Sequence, residues 1–240
     1  MSSMKEATII INGVLLNEAQ SSALRVAVAS FLTELAVPDH MAALGEIGPL
    51  YQARLSEVQD LIFKGEAERR ARVFAAKKHV GQTYNGGKDN YMFHLEAVHD
   101  IAESVGLPEE IRVAAYLHDV LEDTPVTYEE LKDRFGEPVA NLVEAVTGRG
   151  ATRNIRNSDA HRKIIKAGAP AALLKLCDRY INSKFSRRLA FDGGTRDYFN
   201  LYKKEQPAFM EMIHTAMKNA NEEQFVIFDV LRGMLEDEFK

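Results

Sequence analysis

The chain of 240 residues lacks several features that mark particular classes of protein. Its single cysteine, Cys177, cannot form an intramolecular disulfide, which favours the reducing cytoplasm as its setting. The chain has no run of about 18 apolar residues, and its N-terminus has no apolar signal-peptide segment, so we expect no membrane association. A net charge of −5 argues against nucleic-acid binding, which requires a basic surface.

Hydrophobic residues recur at helical spacing through most of the chain, which predicts an all-α fold. Residues 8–16 are an exception, because Asn12-Gly13 lies between aliphatic residues and predicts a β-hairpin. Turn-forming and polar residues predict loops at 81–90 and 148–159. The predicted helices cover residues 18–36, 50–63, 66–80, 91–105, 109–122, 128–135, 137–147, 160–167 and 170–186, with two more between 195 and 240.

These elements predict a helical core with additions at both ends. The core covers residues 66–188, an N-terminal hairpin and helical extension covers 1–65, and C-terminal helices packed on the core cover 189–240. An isolated hairpin is only marginally stable, so its edge must pack on helices or meet another chain. The sequence therefore also allows a homo-oligomer.

Four residues on three predicted helices form a candidate metal site: His94, the doublet His118-Asp119, and Asp178. Helices that pack as a bundle commonly bring such ligands together. Imidazole nitrogen and carboxylate oxygen suit Mn²⁺, Fe²⁺ or Zn²⁺ and exclude a thiolate site. A metal held in this way can activate water toward an electrophile such as phosphorus. Taken singly, His118 could instead be a core histidine and Asp178 could pair with a neighbouring base.

Two acids follow the doublet. Glu122 lies four residues after His118 and three after Asp119, so it shares their helix face, and Asp123 lies four residues after Asp119. A carboxylate beside an activated water can take its proton as a general base. One of the two acids could instead serve the helix-ending turn at Asp123-Thr124-Pro125.

The loop predicted at 148–159 is basic. Arg149, Arg153 and Arg156 lie in it, and Arg162-Lys163 follows. Because the arginine fork matches phosphate oxygens, such a cluster in an acidic protein is a candidate rim for a polyphosphate pocket. A solvated loop is the alternative for each of these arginines.

Several blocks of this chain resemble the HD hydrolase domain of the RelA/SpoT type and its stand-alone (p)ppGpp hydrolase relatives. The blocks are HVGQTYNGGKDNYMFHLEAV (79–98), the HDVLEDT segment with the residues around it (114–147), and LLKLCDRYINS (173–183). They occur in the family's order and cover about residues 66–188. The resemblance implies an HD-domain helical bundle.

The resemblance also implies roles for individual residues. His94, His118, Asp119 and Asp178 would bind a metal, usually Mn²⁺, and Glu122 and Asp123 would activate or support the water. The substrate contacts it implies are Asn182, Arg162, Lys163, His79 and, by stacking on the base, Tyr84. The reaction would remove the 3′-diphosphate from guanosine 3′,5′-bis(diphosphate), ppGpp, so that the partner is a small nucleotide substrate. Only about 50 residues follow the matched region, so we expect no synthetase domain here.

The segment beside the expected base position departs from the family pattern. It reads Thr83, Tyr84, Asn85, Gly86 and Gly87, where the family carries an arginine-containing run. This leaves two alternatives open. One is an HD phosphomonoesterase acting on another nucleotide or a phosphorylated dinucleotide. The other is a non-catalytic module that binds an alarmone or a partner through residues 1–65.

Overall fold

The computed structural model describes residues 9–35, 38–62, 65–84, 87, 89–191 and 198–240. Asn85 and Gly86, named above in the departure from the family pattern, lie outside these residues. The described chain is almost entirely helical, which confirms the predicted all-α class. The helices are α1 (Glu18–Leu35), α2 (Pro38–Ala43), α3 (Gly48–Ile62), α4 (Glu66–Lys78), α5 (Met92–Ser104), α6 (Glu109–Leu117), α7 (Val120–Asp123), α8 (Tyr128–Phe135), α9 (Glu137–Val146), α10 (Arg153–Ala167), α11 (Ala169–Phe191), α12 (Tyr198–Ala216) and α13 (Glu222–Glu238).

Two small hairpins interrupt the helices. Strands β1 (Ile10–Ile11) and β2 (Val14–Leu15) pair antiparallel as predicted. The turn between them has Asn12 at φ 50° and Gly13 at φ 78°, the positive values that this pair of residues tolerates. The second hairpin pairs β3 (Thr83–Tyr84) with β4 (Asp89–Asn90) inside the segment that we predicted to be a loop. Its strands are too short to show an alternating pattern, so the loop prediction is wrong there.

The chain divides into two compact units, Met1–Arg69 and Arg70–Lys240. In the first unit α1 packs on α3 around a small core of Ile9, Val28 and Ile62. In the second unit α11 is central, with α5, α6, α9, α10, α12 and α13 packed against it. The side chains of α11 are accordingly apolar and buried where these helices meet it, as at Leu173, Leu174 and Leu176. Among the described residues, no helix combines the length and the hydrophobicity that crossing a bilayer requires.

A break between α6 and α7 corrects one predicted helix. The sequence predicts a continuous helix over 109–122, but α6 ends at Leu117 and α7 begins at Val120. His118 and Asp119 lie in the turn between the two helices, where His118 Nδ1 is 2.8 Å from the Ala115 carbonyl oxygen. On a regular helix adjacent side chains diverge by about 100°. The turn removes that restriction, so two adjacent side chains can reach one point.

Helix α10 begins earlier than predicted. The sequence predicts a helix from 160 and a loop over 148–159, whereas α10 starts at Arg153 after Thr152, whose side-chain oxygen accepts a hydrogen bond from the Ile155 amide. The loop prediction is wrong from 153 onward, because the polar residues there form an exposed helical turn. Two arginines of the basic segment, Arg153 and Arg156, therefore lie on a helix, and Arg149 precedes it.

Candidate metal centre and cavity

The four predicted metal-binding residues meet in the interior of the second unit. Nε2 of His94 lies 3.2 Å from Nε2 of His118, 3.5 Å from Oδ2 of Asp119 and 3.4 Å from Oδ1 of Asp178. Nε2 of His118 lies 3.1 Å from the Asp119 oxygen and 3.6 Å from the Asp178 oxygen. We call these four residues the ligand cluster. Helix α5, the α6–α7 turn and α11 each contribute to it.

The ligand cluster fits a divalent transition metal. Ligand atoms bound about 2.0–2.2 Å from one ion lie roughly 3–3.5 Å from one another, and the five distances given above, 3.1–3.6 Å, are close to that range. The ligand atoms of His94, His118 and Asp178 lie within 4.8 Å of one another, and Asp119 joins them through its contacts with both imidazoles. Two nitrogens and two carboxylates supply the mixed donor set and enough negative charge for a dication. The contact from His118 Nδ1 to the Ala115 carbonyl also fixes the tautomer that leaves Nε2 free to bind a metal.

The protonation equilibria of the ligand cluster show why it suits a cation. Burial lowers the pKa of His118, but the neighbouring Asp119 and Asp178 outweigh burial and raise that pKa to about 10. Burial would raise the pKa values of the two carboxyl groups. Lys175 and the imidazoles hold the pKa of Asp178 well below its usual range, and the imidazoles do the same for Asp119. The two buried carboxylates therefore demand positive charge, which protons on the imidazoles or a bound dication can supply.

Asp178 has partners on both of its oxygens. Lys175 Nζ lies 2.8 Å from Oδ2, and the Asn182 side-chain amide donates to Oδ1. Asn182 in turn accepts a hydrogen bond from the Tyr84 hydroxyl at 2.8 Å. Pairing with a neighbouring base was the alternative to metal binding for Asp178. The structure shows both arrangements together, because Oδ2 pairs with Lys175 while Oδ1 lies in the ligand cluster.

Tyr91 links the ligand cluster to Asp123, one of the two candidate bases, and it is not among the residues predicted from the sequence. Its hydroxyl oxygen lies 2.7 Å from Oδ2 of Asp119 and 3.0 Å from Oδ2 of Asp123. One signal was available, because Tyr91 precedes His94 by three residues and so lies on the same face of that helical turn. The hydroxyl has one hydrogen, so it can donate to only one carboxylate at a time.

The ligand cluster opens onto a small polar cavity of about 250 Å³. Glu122 and Asp123 line it, and for both acids burial and the charge of Asp119 raise the pKa. A raised pKa makes each carboxylate a stronger base than an exposed one. Three arginines also line it, and we call them the cationic wall: Arg153, Arg156 and Arg179. Nε of Arg156 lies 3.4 Å from Oε1 of Glu122.

Helix α10 presents different residues to its two sides. Arg153, Arg156 and His161 line the cavity, as their helical spacing requires. Arg162 and Lys163 do not line it. Arg162 pairs with Asp159 at 2.7 Å, and Lys163 donates to Glu144 and to the Thr147 carbonyl, each at 3.0 Å. Arg162 lies on the other face of the helix and Lys163 is directed to Glu144 of α9, so this geometry does not place the predicted basic pair at the cavity.

Tyr84 and His79 take different positions. The Tyr84 ring stacks on the ring of His94 with centroids 4.7 Å apart and lines the cavity. His79 is buried outside the lining, stacked on the Tyr91 ring at 4.8 Å, with Nδ1 2.7 Å from Gln82 Oε1. His79 therefore supports Tyr91, and its predicted contact with substrate would require a rearrangement.

Comparison with known proteins agrees with this geometry. Residues 71–184 match the HD domain family. The segment that matches this family, just under half of the chain, has the all-α fold of an HD domain. The chain is 43% identical over 123 residues to a guanosine-3′,5′-bis(diphosphate) 3′-pyrophosphohydrolase of Aquifex aeolicus, a match that covers 50% of this chain and 18% of that protein. It is 38% identical over 123 residues to the bifunctional (p)ppGpp synthase/hydrolase SpoT of Escherichia coli, covering 48% of this chain and 17% of SpoT.

The similarity is regional. The chain spans less than a fifth of the length of these two relatives. A solved structure of a metazoan ortholog of SpoT that hydrolyzes ppGpp is similar over 70% of this chain and 96% of that one, with a TM-score of 0.54 and 23% identity. At that identity the likeness establishes the fold alone.

Helix α12 lies beyond the segment that matches the HD domain, yet it reaches the cavity. Its Tyr202 lines the cavity, and its Glu205 accepts hydrogen bonds from Arg153 and Arg179 of the cationic wall. Neither Tyr202 nor Glu205 is among the residues predicted for the site. A lone glutamate on an amphipathic helix carries no signal of its own, so the sequence offered no means of finding it.

Proposed function

We propose that this protein is a metal-dependent phosphohydrolase that removes the 3′-diphosphate from ppGpp. The observation that carries the proposal is the convergence of the ligand cluster, Glu122, Asp123 and the cationic wall on one cavity. A hydrolase needs a place for a metal, a base for the attacking water and cations for the phosphates, and these three groups supply them. The names of the relatives supply the substrate.

In this proposal each group has a defined task. The ligand cluster holds the divalent ion, which when bound activates water and polarises phosphorus–oxygen bonds. Asp123, oriented by Tyr91, takes a proton from the attacking water, and Glu122 is the second acid within reach of that role. The cationic wall and Lys175 bind the phosphates of the substrate and offset their charge. Asn182 and Tyr84 contact the nucleoside side of the substrate.

The charges of the cavity agree with a polyphosphate ligand. Its lining holds four acids, two of which belong to the ligand cluster, and four fixed cations, so a divalent ion shifts the balance toward positive charge. A phosphorylated ligand is favoured by such a balance. The small volume accommodates the reacting phosphates better than a whole nucleotide, so we expect the guanosine to lie toward the mouth, near Tyr84.

The decisive experiment follows pyrophosphate release from ppGpp with Mn²⁺ present. We expect wild-type protein to yield GDP and pyrophosphate, and Asp119→Ala to abolish the reaction. The matched control is Asp133→Ala, an exposed aspartate of α8, which we expect to keep wild-type turnover. Wild-type protein that leaves ppGpp intact under these conditions would contradict the proposal.

The phosphomonoesterase alternative rests on the segment beside Tyr84, which lacks the arginine-containing run. It predicts inorganic phosphate as the product and turnover of other nucleotides or phosphorylated dinucleotides. Assaying a panel of such compounds for phosphate and for pyrophosphate separates the two reactions by their leaving group. Tight ppGpp binding without turnover would instead favour the non-catalytic module.

We propose Mn²⁺ as the resident ion, with Fe²⁺ and Zn²⁺ as the alternatives. Carboxylate oxygens make up half of the donor set, and the absence of thiolate disfavours a preference for softer metals. Metal analysis of the purified protein, followed by reconstitution of the metal-free protein with each ion, tests this choice. Equal or higher turnover with Zn²⁺ than with Mn²⁺ would contradict it.

We also propose that the protein is cytoplasmic and has three parts, residues 1–65, 66–188 and 189–240.

We further propose that the protein self-associates through its N-terminal hairpin. The support is the exposure of its four aliphatic side chains, which ranges from 48% to 64% on strands that carry no charged residue: Ile10, Ile11, Val14 and Leu15. Light scattering after size exclusion is expected to give a dimer, and Val14→Lys a monomer. A monomeric wild-type protein would contradict self-association.

A further inference from the structure

One acid at the cavity has no task in the proposed chemistry. Glu205 of α12 accepts four hydrogen bonds. Arg153 donates Nε and Nη2 to it at 2.8 and 3.1 Å, Arg179 donates Nη1 at 3.1 Å, and Asn157 donates its amide at 3.2 Å. Its carboxylate is therefore saturated by groups from α10 and α11, and it ties three helices together at the back of the cationic wall.

The two arginines that contact Glu205 are also held from a second direction. The ring of Tyr202 faces both guanidinium groups, with the central carbon 5.4 Å away for Arg153 and 4.7 Å for Arg179. The Phe209 ring lies 4.6 Å from the Arg179 carbon. A planar guanidinium held by two hydrogen bonds and a ring has a fixed orientation. Glu205 accepts hydrogen bonds from Nε and Nη2 of Arg153, so the third guanidinium nitrogen, Nη1, can donate to a different partner.

We infer that Glu205 is a positioning residue that orients Arg153 toward the phosphates of the substrate. This inference rests on the proposed function, since it assigns the phosphates to Arg153. Arg153 is 37% exposed, whereas Arg179 is 8% exposed, so of the two only Arg153 is free to meet a ligand. Glu205 acts through it, and α12 becomes part of the phosphate site although it lies outside the matched HD segment.

The first test measures anion binding without turnover. Isothermal titration with inorganic pyrophosphate is performed on Mn²⁺-loaded protein, for wild type and Glu205→Gln, which keeps the shape and removes the charge. We expect the dissociation constant to rise roughly fivefold to tenfold, because charge-assisted hydrogen bonds depend on geometry. In turnover of ppGpp the loss is expected in KM, with kcat changed by less than a factor of about three.

The matched control is Glu211→Gln, an exposed acid on the same helix, which we expect to bind pyrophosphate as the wild type does. Should Glu205→Gln fail to fold, Glu205→Asp takes its place, because it keeps the charge but withdraws the carboxylate by one methylene. We expect it to weaken binding in the same direction.

The second test asks whether Glu205 acts through Arg153. Arg153→Met is expected to weaken pyrophosphate binding, and adding Glu205→Gln to it is expected to change nothing further. Additive losses would overturn the inference, and so would tighter binding by Glu205→Gln, which would make Glu205 a competitor of the anion. Unchanged binding in Glu205→Gln, or no pyrophosphate binding by the wild type, would overturn it as well.

The two proposals fail in different ways. If wild-type protein binds pyrophosphate, and Glu205→Gln weakens that binding while ppGpp is not hydrolysed, the positioning role stands and the assigned substrate is wrong. If ppGpp is hydrolysed with the same KM by wild type and Glu205→Gln, the proposed function stands and the positioning role is wrong.

Discussion

The ligand cluster and the cationic wall belong to one site, yet they are built differently. All four members of the ligand cluster lie within the segment that matches the HD domain, and their side chains are mostly buried. The cationic wall lies on α10 and α11, and Arg153 and Arg179 are held by Glu205 of α12, which is outside that segment. A metal site tolerates little displacement of its ligands, whereas long arginine side chains can be re-aimed by a single partner. Under the proposed function, the chemistry resides in the segment that matches the HD domain, and recognition of the phosphates depends on a helix outside it.

The largest effect is expected on the side of the ligand cluster. Asp178→Asn removes a carboxylate ligand and leaves Lys175 without its charged partner. We expect turnover to fall by roughly a thousandfold or more, since a catalytic metal supplies several kcal/mol of transition-state stabilisation. Metal content by elemental analysis should fall in parallel. The control is Asp159→Asn, which changes an aspartate of α10 that pairs with Arg162 and does not line the cavity. If both variants lose turnover and metal equally, the ligand cluster has no special role.

A smaller loss is expected from Tyr91→Phe. The phenylalanine keeps the ring that stacks on His79 and removes the hydroxyl that contacts Asp119 and Asp123. Outer partners of metal ligands typically contribute about ten- to a hundredfold in activity or metal affinity, so we expect a loss of that size in kcat. The matched control is Tyr128→Phe, which removes a comparable hydroxyl contact, from Tyr128 to Asn141 at 2.7 Å. Because neither residue lines the cavity, we expect kcat to stay unchanged. If Tyr91→Phe keeps the wild-type kcat, the Tyr91 hydroxyl has no role in the reaction.

The two faces of α10 sharpen the comparison further. Arg153→Met is expected to raise KM for ppGpp by about tenfold, because a charge-assisted contact to phosphate is lost. Arg162→Met changes the same residue type nine positions later on the other face and should leave KM unchanged. The reverse result would restore the predicted role of Arg162-Lys163 and contradict the orientation of this helix.

The smallest effect concerns stability and its dependence on pH. Burial raises the pKa of Glu205, but the contacts with Arg153 and Arg179 outweigh burial and lower it below its ordinary value. A carboxyl group with a lowered pKa in the folded state stabilises the protein above its unfolded pKa of about 4.3 and loses that contribution as pH falls through its folded pKa. Glu205→Gln should therefore lower the free energy of unfolding more at pH 7 than at pH 4, as measured by urea denaturation. An equal difference at both pH values would show that the carboxylate charge contributes nothing.

The sequence could predict elements that depend on local spacing. Helix α8 has the predicted bounds of 128–135, because Thr127 caps it and Gly136 ends it. The N-terminal hairpin also follows from Asn12-Gly13 alone. The break at His118-Asp119 and the early start of α10 escaped prediction, because the local residues there are compatible with either state and tertiary contacts choose between them.

The sequence by itself pointed to the four residues of the ligand cluster, because imidazole and carboxylate side chains in otherwise apolar helices require a compensating partner. It also determined the helical class, through the period of its apolar residues. Only the tertiary structure decided which basic residues face the cavity, since a shift of a few positions around α10 turns an arginine from the site to the solvent. It alone brought Tyr91 to the acids and Glu205 to the arginines, because contacts between residues up to 52 positions apart leave no trace in local sequence.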